Sequence, residues 1–417
     1  MEYDSIIVIM DTKVIKRDIV DDIMRYINDS NIIVLHGARQ VGKTYILYYI
    51  KDLLDKESRS TYYIDLEDSR FVDLLNQRVE DFILFLQNEG FEIEQIIEKN
   101  SKLYIFIDEI QYLDDPSKFL KLMVDHHKYI KLIVSGSSSF DIKSKFSDSL
   151  VGRTINFDIF NLSFNEFLRF KNVNYNLNKL SDIHLEKVIK LYKEYVLYGG
   201  YPQIVLENSI EKKERYLQQI IDTYVKKDIR DLTNIKDIRK FNNILKILAQ
   251  QTGNLLNVNT LSVSCGISKE TIENYLFILE NTYIIKLVPP FSTNAKIEVI
   301  KAPKIFFYDT GLLQLLWLKT LQKTILGNVF ETSIFSELVK KYGFENINYW
   351  RTKNQEEIDF ILTKKGEIIP IEVKMGFNLL KKSSLQLFIN KYNSQEYKIV
   401  GLNKIREVEN FIYPWDL

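Results

Sequence analysis

Residues 37–44 read GARQVGKT, and each type stands where binding a polyphosphate needs it. Gly37 and Gly42 let the backbone curl, so that N–H groups along Ala38, Arg39, Gln40 and Val41 point inward as an anion cradle. Lys43 is placed to reach the β- and γ-phosphates, and the Thr44 hydroxyl to ligand Mg²⁺. An apolar run precedes the loop, and Ile46, Leu47, Ile50 and Leu54 give the stretch after it one helical face. Strand, glycine loop and helix in that order make ATP and Mg²⁺ the expected ligands. A second run, LYIFIDE at 103–109, ends in two carboxylates. A strand buried on both faces of a parallel sheet reads this way, and ligands bind at the carboxyl ends of such strands. Asp108 is expected in the Mg²⁺ shell, with Glu109 orienting or activating the attacking water.

A second constellation lies near the C-terminus. If Lys365-Gly366 forms a two-residue turn, Asp359 falls directly opposite Glu372. Two carboxylates facing each other across a strand pair, roughly 5 Å apart, repel. A divalent cation between them removes that cost. Lys374, two residues beyond Glu372, leaves the same face. This D…E-x-K arrangement suits metal-dependent phosphodiester cleavage, in which carboxylates hold Mg²⁺ and the lysine helps position a hydroxide. Glu331, one helix earlier, could supply a further ligand. The same register puts Ile358, Phe360 and Leu362 on one face with Ile369, Ile371 and Val373, leaving the other face polar. The alternative is therefore an amphipathic hairpin with a solvated polar face, in which Lys374 pairs with Glu357.

The elements that must position these groups follow from periodicity. Stretches 61–68, 103–109, 131–136 and 155–160, with the strand before the glycine loop, alternate with helical segments. That alternation argues for a parallel α/β sheet. From Ser163 to about Asp231 the pattern is helical, punctuated by a turn at Tyr198-Gly-Gly-Tyr-Pro202. In 236–310 a helix bearing Phe241, Ile244, Leu245 and Leu248 precedes a short helix stopped by Gly266. A further helix is capped by Ser268, and Pro289 to Ile305 reads as an extended hairpin. Helix, helix–turn–helix and hairpin suggest a winged helix. Its would-be recognition helix, SKETIENYLFILE, carries one lysine against three glutamates. Phosphate repulsion makes that a poor major-groove helix, so a packing role stands beside a nucleic-acid role.

At 417 residues the chain is too long for one compact core. Its 56 basic and 56 acidic residues give no global charge pointing to nucleic acid, membrane or an acidic partner. Cys265 is the single cysteine, which rules out an internal disulfide and fits a reducing compartment. Histidines 36, 126, 127 and 184 have no metal-ligand spacing. No apolar run reaches bilayer-spanning length, and the N-terminal MEYDSIIVIMD has neither signal-peptide nor transit character. A cytoplasmic location with no membrane partner is expected.

Taken together, GARQVGKT, FIDEIQYL, SGSSS (135–139), LVGRT (150–154), YGGYPQ, ISKETIENYLFILENTYII, PKIFFYDTGLL (303–313) and IEVK (371–374) resemble a family of bacterial and archaeal AAA+ ATPases. The C-terminal domain of that family is related to PD-(D/E)xK restriction-type nucleases. The resemblance spans nearly the whole chain. It implies an AAA+ P-loop core over 1–160, a helical lid over 161–235, a winged helix over 236–310 and a restriction-endonuclease-like α/β domain over 311–417. It also implies that Ser137 acts as the polar sensor of the γ-phosphate and that Arg153 is an arginine finger acting on a neighbouring subunit of a homo-oligomer. Arg17 would flank the adenine. The expected function is ATP hydrolysis coupled to a nuclease-like domain acting on DNA or RNA, with a second divalent metal there. The alternative is a regulatory NTPase whose C-terminal domain only binds a partner protein or DNA.

Overall fold

The structure, a computed structural model, describes residues 15–137, 150–223, 238–292, 302–375, 382–403 and 408–417. The chain divides into two compact units. One contains the described chain up to Asp158 except Gly37–Val41 and Ser137, which group with Ile159–Leu417 in the other.

The first unit is the expected parallel sheet. Strands β1 (Ile32–Gly37), β2 (Ser60–Asp65), β3 (Leu103–Asp108), β4 (Ile130–Ser137) and β5 (Thr154–Ile159) lie in the order β2-β3-β4-β1-β5. The pairs β2–β3 and β3–β4 are parallel, and Ile32 N–H donates to the Arg153 carbonyl at 2.8 Å, starting β1 level with β5. Every residue of β1 and β3 is buried, whereas the outer strands β2 and β5 are only partly covered. This is why the two inner strands read as unbroken apolar runs. Helices α1 (Ile19–Arg25), α2 (Lys43–Lys56), α3 (Ser69–Asn76), α4 (Val79–Asn88), α5 (Ile93–Glu98) and α6 (Pro116–His126) accompany the strands. Helix α2 buries Ile46, Leu47, Ile50 and Leu54, the face its spacing requires. At about 1.5–3 kcal/mol per fully buried aliphatic side chain, that face anchors the helix behind the glycine loop.

The second unit begins with helices α7 (Phe164–Phe170), α8 (Asp182–Tyr198), α9 (Pro202–Leu206) and α10 (Ile210–Thr223). Helix α11 (Ile238–Gln250) buries Phe241, Ile244, Leu245 and Leu248, and α12 (Val258–Cys265) stops at Gly266, whose φ is 60°. Ser268 caps α13 (Lys269–Asn281) by accepting from the Thr271 N–H. The paired strands that follow are β6 (Ile285–Val288) and β7 (Lys304–Phe307). They flank the hairpin expected over 289–305 rather than filling it, because Pro289 and Pro290 cannot donate to a ladder; residues 293–301 lie outside the described part. After β6 the chain runs along the C-terminal sheet, where Tyr349 N–H donates to the Pro289 carbonyl at 3.1 Å and Phe291 N–H to the Tyr349 carbonyl at 2.6 Å.

Helices α14 (Thr310–Leu318) and α15 (Gly327–Tyr342) lead into a second sheet. Its strands are β8 (Ile347–Arg351), β9 (Glu357–Lys364), β10 (Glu367–Val373), β11 (Lys398–Val400) and β12 (Phe411–Ile412), ordered β12-β11-β10-β9-β8. The β8–β9–β10 pairs are antiparallel and the β10–β11–β12 pairs parallel. Helix α16 (Lys382–Tyr392) connects β10 to β11.

The turn at 198–202 meets a distant partner. Gly199 has φ 83°, and a Cβ there would run into the Asp309 carboxylate. Asp309 is buried and accepts from Gly200 N–H at 2.8 Å, Leu312 N–H at 2.8 Å and Asn161 Nδ2 at 2.6 Å. Burial pushes its carboxyl up, and these donors pull against that. YGGYP and FYDTGLL thus form one joint within the second unit. Among the described residues no helix is long and apolar enough to cross a membrane.

Candidate nucleotide site and C-terminal acid cluster

The glycine loop leaves β1 and turns through left-handed backbone at Gln40 (φ 61°) and Gly42 (φ 97°) before α2 opens at Lys43. Gly42 at the N-cap has no side chain to cap that helix start, which leaves the helix dipole and its first N–H groups as the anion-binding elements of the loop. Ala38, Val41 and Lys43 are buried.

Asp108 ends β3 almost fully buried, at 3% exposure, within a set of neutral donors. Thr44 Oγ1 donates to its Oδ2 at 2.6 Å, the Tyr63 hydroxyl to the same oxygen at 3.1 Å, and the Ser135 hydroxyl to Oδ1. The Glu109 N–H also reaches Oδ1, at 3.1 Å. The expected Mg²⁺ pair, Thr44 and Asp108, is therefore in direct contact, and this oxygen-only donor set fits the ion. Glu109 sits in left-handed backbone at φ 55° and ψ 47°, with Gln111 donating to its carboxylate. For a non-glycine residue that conformation costs energy, and such outliers gather at working sites. Asp65, opposite Asp108 in the β2–β3 register, is pushed up by burial and by the Asp108 and Glu109 charges.

Tyr63 and Ser135 were not among the expected site residues, because neither belongs to a spacing pattern. Tyr63 comes from the second strand and stacks on Tyr48 of α2 with ring centroids 4.5 Å apart. Burial first, then the Asp108 charge, raises its hydroxyl well above the usual tyrosine range, so it stays a donor. Ser137 closes β4, and its side chain is outside the described atoms. Arg153 lies just before β5, with its side chain about one-third exposed and its guanidinium forked on Asp125 at 2.8 and 3.1 Å. Its own chain therefore holds it. Arg17 is buried.

In the second unit the β9–β10 hairpin has the expected register. Glu367 pairs with Lys364 and Ile371 with Phe360, about a turn with Lys365 at φ 50° and Gly366 at φ 87°. Asp359 consequently faces Glu372, and the Val373 N–H donates to Asp359 Oδ2 at 2.8 Å. The second face of the hairpin needs correction, since it is polar only at its open end. Ile361 packs with Trp350, Leu385, Phe388 and Ile399, with Ile368 against them, because α16 covers that side. Lys374 pairs with Glu372 at 2.8 Å and Asp359 at 3.3 Å, not with Glu357.

Lys304, from β7, completes the cluster and was also not anticipated. Its ammonium lies 2.6 Å from Glu357 and 3.4 Å from Glu331, at 3% exposure. Arg351 holds the other Glu357 oxygen at 3.2 Å. Burial pulls Lys304 down, but Glu331, Asp359 and Glu357 together hold it well above the usual lysine value. Burial pushes Glu331 up to about 7 against the pull of Lys304. Burial and Asp359 push Glu372 to about 7. Among the described residues no three His, Cys, Asp or Glu side chains converge as a ligand set; Glu331, expected as a third ligand, pairs with Lys304. Glu372 Oε2, however, is buried with no hydrogen-bond partner, which leaves one carboxylate oxygen suited to a cation.

Residues 29–168 match a family model described as an AAA domain. Residues 189–323 and 326–415 match two described as domains of unknown function, DUF8612 and DUF4143. The uncharacterized Methanocaldococcus jannaschii protein MJ1544 is 31% identical over 99% of this chain and 92% of its own length. An uncharacterized protein of Haemophilus influenzae is 29% identical over 82% of this chain and 81% of its own. Among solved structures, AMPPCP-bound DnaA from Aquifex aeolicus aligns over 63% of this chain and 86% of its own, at 16% identity and a TM-score of 0.27. That likeness is too slight to carry inference.

Proposed function

The chain belongs to the family that includes the Methanocaldococcus jannaschii protein MJ1544, and we propose that it hydrolyses Mg-ATP at the glycine loop to control a C-terminal site acting on nucleic acid. The observation that carries the first half is the contact between Thr44 and Asp108 at 2.6 Å, with the buried Lys43 beside Thr44 on the same helix. Mg²⁺ held by Thr44 and Asp108 would draw charge from the β- and γ-phosphates. Lys43 and the N–H groups of residues 38–44 bind and orient the triphosphate. Glu109 takes the proton of the attacking water as its oxygen bonds to the γ-phosphorus and the bond from that phosphorus to the β,γ-bridging oxygen breaks, leaving ADP and phosphate. Ser137 is read as the γ-phosphate sensor, and Arg153 as a finger for a neighbouring copy, which must first leave Asp125.

For the second half, the support is the Asp359–Glu372–Lys374 register. The segment α11–α13 with β6 and β7 is read as a winged helix used for packing, because α13 exposes Glu270 and Glu273, while Glu280 is tied to Lys286 at 3.0 Å. A nuclease-like fold for the C-terminal sheet is part of the same proposal. A second reading, an NTPase switch whose C-terminal domain binds without cleaving, is favoured by the lysines that already compensate the acid cluster.

The test is the ATPase rate of the full chain with and without single-stranded and double-stranded DNA, at several protein concentrations. A DNA-dependent rate and nicking of the DNA support the main reading. ATP turnover indifferent to DNA, without nicking, moves the balance to the second, and absence of turnover under all conditions rejects both. A rate per chain that rises with concentration, and flattens in Arg153→Ala, supports the finger. A rate independent of concentration in the unaltered chain removes it.

A further inference from the structure

We propose that Lys304 is a resident cation of the C-terminal acid cluster. Its ammonium holds the place between Glu331 and Glu357 that a second metal would take, so the cluster accepts one divalent cation, at Asp359 and Glu372. This inference rests on reading the cluster as a cation site.

Two cation positions are laid out side by side. At the first, one buried ammonium bridges carboxylates from two elements, Glu331 of α15 and Glu357 of β9. Drawing acids of separate elements together around one charge is what a metal does in such sites. The ammonium is committed there. A lysine at 3% exposure is tolerable only when paired. Asp359 also acts on this ammonium through its charge, and the Tyr349 ring lies 5.7 Å away. Arg351 lies on the other oxygen of Glu357, so both oxygens of that acid already face a cation.

At the second position the compensation is incomplete. Among the described residues, Glu331, Glu357, Asp359 and Glu372 are four carboxylates, set against the three cations Lys304, Lys374 and Arg351. The deficit has an address. Lys374 takes Glu372 Oε1, while Oε2 of the same group, in a residue 5% exposed, has no partner. A buried carboxylate oxygen without a donor costs its full desolvation. The group that would repair it is a hard, oxygen-seeking divalent cation of the Mg²⁺ or Mn²⁺ kind.

Lys304 lies on β7, outside the hairpin that supplies the D…E-x-K residues, so the segment before α14 sets how many metals the hairpin can hold. The test is a Mn²⁺ titration of the nucleotide-free full chain in a Lys43→Ala background that also carries Asp108→Asn, so that the Thr44–Asp108 pair adds no metal to the count, with bound metal counted by electron paramagnetic resonance. One Mn²⁺ per chain is expected, rising to two when Lys304→Met is added, together with a larger metal-induced rise in melting temperature. No Mn²⁺ in the doubly substituted parent would overturn the cation-site reading itself. Two in the parent, or one in both proteins, would overturn the role of Lys304 alone. Folding of Lys304→Met only when Mn²⁺ is present would support the exchange of ammonium for metal. Failure to fold at any Mn²⁺ concentration would overturn it.

Discussion

Asp108 and Glu372 are both nearly buried acids at the ends of strands, yet their surroundings are opposite in kind. Around Asp108 stand hydroxyls from Thr44, Tyr63 and Ser135, which donate hydrogen bonds without cancelling charge. Around Glu372 and Asp359 stand ammonium groups, with Lys374 directly on both. A hydroxyl-lined carboxylate keeps its full negative charge and can exchange a donor, worth about 1.5–3 kcal/mol to a charged acceptor, for a metal ion. A lysine-lined one is largely satisfied, and separating such a buried pair costs about 3–5 kcal/mol. Readiness for metal depends on what already holds the acid. The count of acids does not decide it.

The comparison can be broken most sharply at Lys43. Lys43→Ala removes the charge opposing the β- and γ-phosphates, so nucleotide binding should vanish in a fluorescent-nucleotide titration and hydrolysis should fall to background. Binding that survives would end the nucleotide half of the contrast. Next comes Glu109→Gln, which keeps the side chain's shape and loses its basicity. Turnover should fall about a hundredfold or more while ATP affinity holds; undiminished turnover would remove Glu109 from the chemistry. Tyr63→Phe keeps the ring against Tyr48 and deletes one donor to Asp108. The Mg²⁺ concentration for half-maximal rate should shift by no more than about tenfold, and an unmoved Mg²⁺ profile would mean that the hydroxyls do not set metal readiness.

The smallest effect belongs to the lysine-lined site. Glu372 is raised from 4.5 to about 7 in the folded chain, so the folded state holds its proton more tightly than the unfolded one. Its favourable contribution is complete below pH 4.5 and is lost as pH rises through about 7. With a chelator present, the melting temperature should decline over that interval by a few degrees, and Glu372→Gln should make the decline shallower, leaving the share of Glu331, which is also raised to about 7. An identical slope in the variant would place the pH sensitivity elsewhere.

Local pattern carried the layout of the candidate nucleotide site. The glycine loop, the β3 carboxylates and the apolar face of α2 are written within short windows, where backbone geometry demands particular residue types. The hairpin register was equally legible, because a two-residue turn at Lys365-Gly366 leaves only one pairing. What escaped depends on distance in sequence. Tyr63 lies 45 residues from Asp108, and no periodicity ties them. Lys304 reaches Glu331 and Glu357 from a strand whose pattern says only that it is apolar; its sole signal was membership of the PKIFFYDTGLL stretch. The polar reading of the face with Glu357, Asp359, Glu372 and Lys374 does not extend to Ile361, because a period of two cannot foresee that α16 covers it. The turn at 198–202 was recognisable, whereas the carboxylate that locks it, Asp309, was not.

The ties of β6 and β7 to the C-terminal sheet bear on how such a chain can be inherited. Pro289 and Phe291 are hydrogen-bonded to Tyr349, and Lys304 neutralises Glu331 and Glu357. A recombination crossover near residue 325 would hand the incoming hairpin its acids without their counter-charge and strip β8 of its neighbouring chain. A breakpoint before Pro289 keeps Phe291, Lys304 and the acids and strand they contact within one inherited segment.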